Sequence, residues 1–402
     1  MTDHSDVLIV GGSIAGVRTA EGLRRLSFEG GITILEAGQD LPYDRPALSK
    51  QVLTAGASAE SVMLRSPADL DKARIDLRRG SVGVGLDADA RTVRLADGTV
   101  ITYSDLVIAT GAAPRELPSV PARPGVHYLR TVQDAVRLRD AVGAPVRVVV
   151  VGAGFIGSEV AAGAAARSAS VTVIEPFAFP LSRVLGDLVG KRLAQLHESK
   201  GVQLVLGRSV SGIEDVGATG KRVVLDDGTA LSCDVVVIGI GAIPNTNWLA
   251  GSGLYVADGI VCDEYCRASV PNVFAVGDVA RWPNPLFAES MRIEHWTNAV
   301  EQAGIVAWNL THPDSPRAYA PVPYVWSDQY GNRLQIVGRP RAEDEVRIVL
   351  DDPADDSMVA LYLRDQRVVG AFGQNAPSQL LALRRSLAAR ASLEEIMTAF
   401  EN

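Results

Sequence analysis

The chain has 402 residues, of which 47% are hydrophobic and 21% charged, as expected for a globular protein of two to three domains. Its formal net charge of −8 argues against a nucleic-acid partner, and no apolar run approaches the ~18 residues of a membrane span. The first residues do not form a secretory signal, the three cysteines are too few for a disulfide framework, and no metal-ligand spacing is present, so we expect a cytoplasmic protein without a bound metal.

The first predicted elements form a strand–turn–helix unit. An apolar strand at residues 7–10 leads through a turn into a helical pattern that reaches Leu26, and a second strand, at 32–35, ends at Glu36. In such units the glycines permit the tight turn and the approach of a pyrophosphate, while the acid accepts hydrogen bonds from the adenosine ribose. Ser13 stands where a glycine usually faces the pyrophosphate, so its Cβ and hydroxyl must fit where the backbone comes closest to phosphate, and the hydroxyl could itself donate a hydrogen bond. The turn consists of Gly11, Gly12, Ser13, Ile14, Ala15 and Gly16.

A second unit of the same kind starts with the strand at residues 148–151. Its helix runs to about Arg167, and its next strand, at 171–174, ends at Glu175. Both units continue with Asp-Gly-Thr and close with a buried strand and a glycine turn, at a nearly constant offset, so we predict two dinucleotide-binding modules. A 2′-phosphate beside Glu175 would bring like charges together, which favours NADH over NADPH, although Arg183 could soften the preference. The second turn consists of Gly152, Ala153, Gly154, Phe155, Ile156 and Gly157.

The remaining third of the chain predicts a return to the first module and then a different domain. A strand at 273–276 runs into Gly277 and Asp278, and from Pro321 short β-rich runs precede an amphipathic helical stretch at about 378–401. We therefore expect an α/β protein with two Rossmann-like modules and a C-terminal α+β cap. The predicted segments are 1–112 (FAD, first part), 113–241 (NAD), 242–317 (FAD, second part) and 318–402 (cap).

These motifs resemble FAD-dependent pyridine-nucleotide oxidoreductases, and among them the oxygenase-coupled, NADH-dependent ferredoxin reductases. The resemblance covers essentially the whole chain, and its most specific parts are the segments 44–50, 109–111, 129–131, 276–279 and 324–329. It implies that the first module holds FAD, the second holds NADH, and the cap closes over the flavin.

The resemblance also implies which residues contact the two cofactors. The alternative for Asp278 is a plain turn, and the alternative for Arg130 is a surface ion pair. For Trp326 the alternative is packing in the core. The residues expected around FAD are Gly11, Gly12, Ser13, Ile14, Ala15, Gly16, Glu36, Arg45, Lys50, Val82, Ala109, Thr110, Gly111, Arg130, Gly277, Asp278, Trp296 and Trp326. Those expected around NAD are Gly152, Gly154, Phe155, Ile156, Gly157, Glu159, Glu175, Arg183 and Gly241.

Lys50 and Glu159 are the candidate catalytic pair. Glu159 falls in the first turn of the second module's helix, and a buried carboxylate needs a partner. The resemblance pairs it with Lys50 near flavin N5, where the pair would orient the nicotinamide and stabilise charge on the reduced flavin. The alternative for Glu159 is an acid that only complements the helix dipole.

The cysteine positions argue against a reaction that uses the enzyme's own thiols. Residues 37–53, where disulfide-reducing relatives carry redox cysteines, contain none, and Cys262 and Cys266 have a spacing that predicts inert thiols. The expected activity is that of a ferredoxin–NAD(+) reductase: hydride from NADH to FAD, then single electrons to a [2Fe–2S] ferredoxin that serves an oxygenase such as a cytochrome P450.

Two alternatives stay open at this point. A related flavin reductase would use rubredoxin, a quinone or monodehydroascorbate, and an apoptosis-inducing-factor-like flavoprotein would act through an interaction surface. For a ferredoxin, which is usually acidic, Arg333, Arg339 and Arg341 are the candidate docking patch; the alternative is an ordinary solvated face.

Overall fold

The computed structural model describes residues 3–54, 56–118, 120 and 123–401. In addition to the helices and strands given below, short helical turns occur at Arg45–Ala47, Leu48–Val52, Glu60–Val62, Asn247–Leu249 and Gly277–Val279. The helices and strands up to residue 166 are β1 (Asp3–Val10), α1 (Ile14–Arg25), β2 (Ile32–Glu36), α2 (Pro67–Lys72), β3 (Ile75–Arg79), β4 (Gly83–Asp87), β5 (Thr92–Leu95), β6 (Val100–Ile108), β7 (Ala112–Pro114), β8 (Val126–His127), α3 (Val132–Ala141), β9 (Arg147–Val151) and α4 (Phe155–Ala166).

The elements after α4 complete the chain. Those up to residue 311 are β10 (Ser170–Glu175), α5 (Ser182–Ser199), β11 (Gln203–Leu206), β12 (Val210–Val216), β13 (Gly220–Leu225), β14 (Ala230–Cys233), β15 (Val235–Ile238), β16 (Ala242–Pro244), β17 (Val256–Ala257), β18 (Gly259–Val261), β19 (Val273–Ala275), β20 (Ala280–Asn284), β21 (Glu289–Met291) and α6 (Trp296–Thr311). The last are β22 (Tyr324–Gln329), β23 (Asn332–Gly338), β24 (Glu345–Asp352), β25 (Ser357–Arg364), β26 (Arg367–Gln374), α7 (Pro377–Ala388) and α8 (Leu393–Glu401).

The first compact unit comprises Met1–Asp44, Val62–Ala113 and Ile243–Pro323. Its main sheet has the order β3-β2-β1-β6-β5-β4, and β19 adds to β6 in parallel. The chain leaves β1 for β2 on one side and later returns to β6 on the other. The carboxyl ends of β1, β2, β6 and β19 therefore meet at a switch point, where α/β sheets bind ligands.

The second compact unit comprises Arg45–Ser61, Pro114–Ala242 and Tyr324–Asn402. Its parallel sheet, β11-β10-β9-β15-β8, again has the first strand of a module in the middle, with the switch point beside β9. The antiparallel sheet β22-β23-β26-β25-β24 follows, and the buried residues of its inner face form one core cluster with α5. The predicted fold class, two Rossmann-like modules with a C-terminal α+β domain, is confirmed. The division of the chain into the segments 1–112, 113–241, 242–317 and 318–402 stays a prediction.

A kink in α5 shows how the C-terminal sheet attaches to this helix. Gly186 has φ +70° inside the helix, and a Cβ there would lie 3.1 Å from the carbonyl oxygen of Ala342. The Tyr362 hydroxyl donates a 2.7 Å hydrogen bond to the carbonyl oxygen of Leu185, next to the kink. Since Tyr362 is fully buried, this bond satisfies both polar groups within the core.

The helical stretch predicted at about 378–401 is wrong as a single element, because it forms two helices, α7 and α8. Arg390 has φ +56° between them. Ser392 then caps α8: the Glu395 amide donates to the Ser392 hydroxyl at 3.2 Å, and the Ser392 amide donates to the Glu395 carboxylate at 2.7 Å. This reciprocal capping starts a new helix. Within the described part of the chain, we find no helix with the length and apolarity required to traverse a bilayer.

Candidate functional site

The first glycine turn brings three backbone segments close together. A Cβ on Gly11, which has φ +114°, would lie 2.2 Å from the carbonyl oxygen of Ala109. One on Gly16 would lie 2.0 Å from the carbonyl oxygen of Gly11. Both contacts exclude a side chain, so these glycines permit the turn after β1 and the packing of α1 against it.

Ser13 adopts the same backbone conformation as the glycine at the equivalent position of the second module. It precedes α1 with φ −86° and ψ −166°, and Gly154 precedes α4 with φ −75° and ψ −174°. A serine adopts these angles without strain, and its side chain makes no capping hydrogen bond to α1. The departure from glycine therefore leaves the turn intact and adds a hydroxyl at the helix N-terminus.

Glu36 is fixed at the tip of β2. Its two carboxylate oxygens accept hydrogen bonds from the backbone amides of Gly12, at 2.8 Å, and Gly38, at 2.9 Å. A carboxylate has further lone pairs, which remain for ribose hydroxyls. A Cβ on Gly12 would lie 2.9 Å from the Glu36 side chain, so glycine lets the acid reach the turn.

The second part of this unit brings Gly277 and Asp278 beside the glycine turn. Gly277 has φ +77°, and a Cβ there would lie 3.1 Å from the Cβ of Ala15. The buried Gln302 accepts a 2.8 Å hydrogen bond from the Gly277 amide. Trp296 donates a 2.7 Å hydrogen bond to Asp44. The unit thus gathers most of the residues that the resemblance places around FAD.

Asn245 stabilises the turn at the end of β6. The Thr110 hydroxyl donates to the Asn245 carbonyl oxygen, and the Asn245 side-chain amide donates to the Thr110 carbonyl oxygen, both at 2.9 Å. Neither Asn245 nor Gln302 was predicted from the sequence, because both act through backbone groups far away in the chain.

The second module repeats this geometry. A Cβ on Gly152 would lie 2.5 Å from the carbonyl oxygen of Gly239, and one on Gly157 would lie 1.9 Å from that of Gly152. The buried Glu175 carboxylate accepts hydrogen bonds from the amides of Ala153, at 2.6 Å, and Phe177, at 3.2 Å. The two modules therefore hold their acids with backbone donors at equivalent positions, Gly12 and Gly38 in the first and Ala153 and Phe177 in the second.

Glu159 is the centre of a buried polar cluster in the second unit. Its side chain is 3% exposed and lies 2.7 Å from the ammonium of Lys50, which is 18% exposed. The hydroxyls of Ser49 and Ser327 also donate to its two carboxylate oxygens, the latter at 2.6 Å. The structure brings the predicted pair together. The acid therefore does more than complement the helix dipole, and its serine partners were not foreseen.

The other predicted residues have varied surroundings. Val82 is 41% exposed after β3, and Ile156 is 46% exposed on α4. Trp326 is half-buried on β22, with its ring 6.1 Å from that of Tyr324. Arg183 is exposed at the start of α5.

Three more residues complete the predicted set. The Arg130 amide donates to Asp134 at 3.1 Å, at the start of α3. Phe155 is half-buried against the core shared by α5 and the C-terminal sheet. Gly241 has φ +106°, and a Cβ there would meet no atom within 4 Å.

Two observations show that dinucleotides fit this chain. Among the described residues no atom lies within 4 Å of a Cβ built on Gly154, so the turn before α4 is open where a pyrophosphate would approach. The buried Nε of Arg45 has no hydrogen-bond partner in the part of the chain that the structure describes. An anionic oxygen would satisfy that guanidinium nitrogen.

The three cysteines are all buried and unpaired. Burial raises the pKa of the Cys262 thiol to about 12 and that of Cys266 well above its usual range. Since the thiolate is the reactive form, both positions agree with the prediction of inert thiols.

The arginines predicted as a docking patch include two with carboxylate neighbours. The Arg333 guanidinium lies 2.5 Å from Asp328, and that of Arg341 lies 4.0 Å from Glu343. These neighbours reduce the positive potential of the patch, and docking there stays a prediction.

Comparison with known proteins agrees with this geometry. The sequence profile of the family "pyridine nucleotide-disulphide oxidoreductase" matches residues 5–303, and the profile "reductase C-terminal" matches residues 324–399. The chain belongs to the pyridine nucleotide-disulphide oxidoreductase family. The second match covers the antiparallel sheet and the last two helices.

Relatives within this family match over nearly their whole length. Rhodocoxin reductase of Rhodococcus erythropolis is 37% identical over 384 residues, which cover 95% of this chain and 89% of the relative. The ferredoxin–NAD(+) reductase component of the anthranilate 1,2-dioxygenase system of Burkholderia cepacia is 40% identical over 387 residues, which cover 96% and 94%. A solved structure, the covalent putidaredoxin reductase–putidaredoxin complex, superimposes with a TM-score of 0.92 at 34% identity and covers 99% of both chains.

Proposed function

We propose that the chain is an FAD-dependent NADH:ferredoxin reductase, which delivers single electrons to a [2Fe–2S] ferredoxin of an oxygenase system. The observation that carries the proposal is the duplicated site: two glycine turns, each with a carboxylate that accepts hydrogen bonds from two backbone amides at equivalent positions. Such a chain binds two dinucleotides. One relative named above is the ferredoxin–NAD(+) reductase component of a dioxygenase system, and a solved structure joins putidaredoxin reductase to putidaredoxin, which supports a protein acceptor.

The first module supplies the FAD site. Glu36 would accept hydrogen bonds from the adenosine ribose of FAD, the N-terminus of α1 would receive the pyrophosphate, and Asp278 would accept from the ribityl hydroxyls. When bound, FAD takes a hydride from NADH and releases the electrons one at a time. The protein contributes position, charge and exclusion of solvent.

The second module supplies the NADH site, with Glu175 at the ribose and α4 at the pyrophosphate. A 2′-phosphate would lie beside the buried Glu175 carboxylate, so NADH is the preferred donor. With both cofactors bound, Lys50 and Glu159 would orient the nicotinamide, and the Lys50 ammonium would supply positive charge beside the flavin. The serine hydroxyls hold the Glu159 carboxylate in a fixed position, so that Lys50 keeps its place.

The acceptor is an external redox protein. Cys262 and Cys266 are free, buried thiols, so they form no disulfide that could accept electrons from a flavin. Their raised pKa values also leave little of the reactive thiolate. We place the enzyme in the cytoplasm, where unpaired thiols such as these three stay reduced.

The deciding experiment is stopped-flow reduction of the FAD-loaded protein by NADH, followed by mixing with candidate acceptors. We expect rapid bleaching of the flavin and NADH-dependent reduction of cytochrome c that requires a [2Fe–2S] ferredoxin. If a quinone, rubredoxin or monodehydroascorbate supports turnover and no ferredoxin does, the proposal of a ferredoxin as the acceptor is wrong. Slow reduction to a long-lived charge-transfer complex would instead indicate an interaction role.

A further inference from the structure

Phe177 of the second module corresponds to Gly38 of the first. In both modules this residue is the second after the acid, and its amide donates to one carboxylate oxygen: Gly38 to Glu36 at 2.9 Å, and Phe177 to Glu175 at 3.2 Å. The backbone therefore has the same role at both positions, but Gly38 has no side chain, whereas Phe177 carries a large aromatic ring.

The carbonyl groups of the two residues confirm the correspondence. The Gly80 amide donates to the Gly38 carbonyl oxygen at 2.9 Å, and the Gly207 amide donates to that of Phe177 at 3.1 Å. Each donor follows the third strand of its module's parallel sheet, β3 or β11. The Phe177 backbone is thus held on both sides beside the acid, so its side chain projects from a fixed point.

In spite of this fixed backbone, the Phe177 side chain is 44% exposed. The first module also exposes one large apolar side chain close to its acid, but it does so from the next loop, at Val82, which is 41% exposed. The residue of the second module that corresponds to Val82 is the polar, exposed Ser209. Each module therefore exposes an apolar group beside its acid, from different positions.

We propose that the Phe177 ring is the surface on which the adenine of NAD(H) packs. The inference rests on the proposed function, since it assigns Glu175 to the adenosine ribose, and the adenine is attached to that ribose. An exposed aromatic ring is a good partner for a base, because every base presents an apolar face and stacks on such rings. Phe177 is thus a positioning residue for the adenosine half of the donor.

The test is the affinity of the FAD-loaded protein for ADP-ribose, measured by calorimetry. We expect Phe177→Ala to raise the Kd at least about tenfold, within the range for removal of a base-stacking aromatic residue. Phe177→Trp should keep the Kd within about threefold of the wild type, because it retains an aromatic surface. Leu188→Ala is the matched control: it removes a side chain of the same unit that is 47% exposed, and we expect no change.

A second readout separates adenine packing from a general loss of structure. Reduced nicotinamide mononucleotide lacks the adenosine, so its rate of flavin reduction should be equal in the wild type and in Phe177→Ala. An unchanged Kd for ADP-ribose, or an equal loss with the mononucleotide, would overturn the inference. If the Kd rises as expected and no ferredoxin accepts electrons, the packing stands and the proposed acceptor fails.

Discussion

At the residue scale, the buried Glu159 carboxylate depends on its partners. Lys50 lies 2.7 Å away and neutralises a group that is only 3% exposed. Removing one member of a buried pair leaves the other as an uncompensated charge, which costs about 3 kcal/mol or more. The two serine hydroxyls cannot replace the lysine, because they supply hydrogen bonds without charge.

We therefore expect Lys50→Met to lower the free energy of unfolding by about 3 kcal/mol. The double variant Lys50→Met, Glu159→Gln should recover part of this loss, because no buried charge remains. Urea denaturation of the FAD-loaded protein measures both. Lys191→Met, at an exposed position of α5, is the control. A loss below about 1 kcal/mol for Lys50→Met would place the pair in a solvated environment.

The buried His197 makes stability depend on pH. Its Nδ1 lies 2.6 Å from the hydroxyl of Tyr330, and burial lowers its pKa to about 4. The unfolded value is about 6.5, so the neutral ring contributes stability that is fully present above pH 6.5 and is lost as the pH falls through 4. The difference between these two pKa values corresponds to roughly 3 kcal/mol in the free energy of unfolding.

We expect His197→Gln to flatten the decrease in stability between about pH 6.5 and 4 relative to the wild type. Thermal or urea unfolding across this pH range measures the slope. His4→Gln, which changes an exposed histidine, is the control. Parallel pH profiles for the wild type and His197→Gln would mean that the ring titrates as it does in solvent.

At the element scale, the glycines before and within α4 have separable roles. A Cβ on Gly157 would lie 1.9 Å from the Gly152 carbonyl oxygen, so Gly157→Ala forces the helix away from β9. We expect a loss of about 1–3 kcal/mol in the free energy of unfolding.

Gly154→Ala should behave in the opposite way. We expect its free energy of unfolding to change by less than about 0.5 kcal/mol, because its Cβ meets no described atom within 4 Å. Unlike the side chain of Ser13 in the first module, whose hydroxyl can donate to a phosphate oxygen, its methyl group would occupy the approach of the pyrophosphate without a hydrogen bond in return, so the Kd for ADP-ribose should rise. Calorimetry and thermal unfolding of both variants give the comparison. Equal effects on folding and binding in the two variants would contradict this division.

The elements with local signals could be predicted from the sequence. Apolar runs, glycine turns and terminal acids predicted both modules, because each signal lies within a few tens of residues. The division between α7 and α8 was missed although Ser392 and Glu395 form a local capping pattern. Ser327, 168 residues from Glu159, has no local signal at all, because its role exists only after the chain has folded.

At the scale of the whole molecule, charge governs the encounter with the acceptor. The formal net charge of −8 repels an acidic ferredoxin at long range, so productive docking needs a local positive surface. The predicted patch contains Arg333, whose side chain is 48% exposed and whose guanidinium lies 2.5 Å from Asp328. Replacing this arginine removes a positive charge and also leaves the aspartate unpaired.

We expect Arg333→Gln to lower the second-order rate constant for ferredoxin reduction several-fold at low ionic strength. The difference should shrink at 0.5 M salt, where the screening length is only a few Å. Arg74→Gln is the matched control, because Arg74 is also exposed and lies 2.6 Å from a carboxylate, that of Glu29. It makes the same change in net charge outside the patch. If both variants slow the reaction equally, net charge alone sets the rate, and the ferredoxin docks elsewhere on the protein.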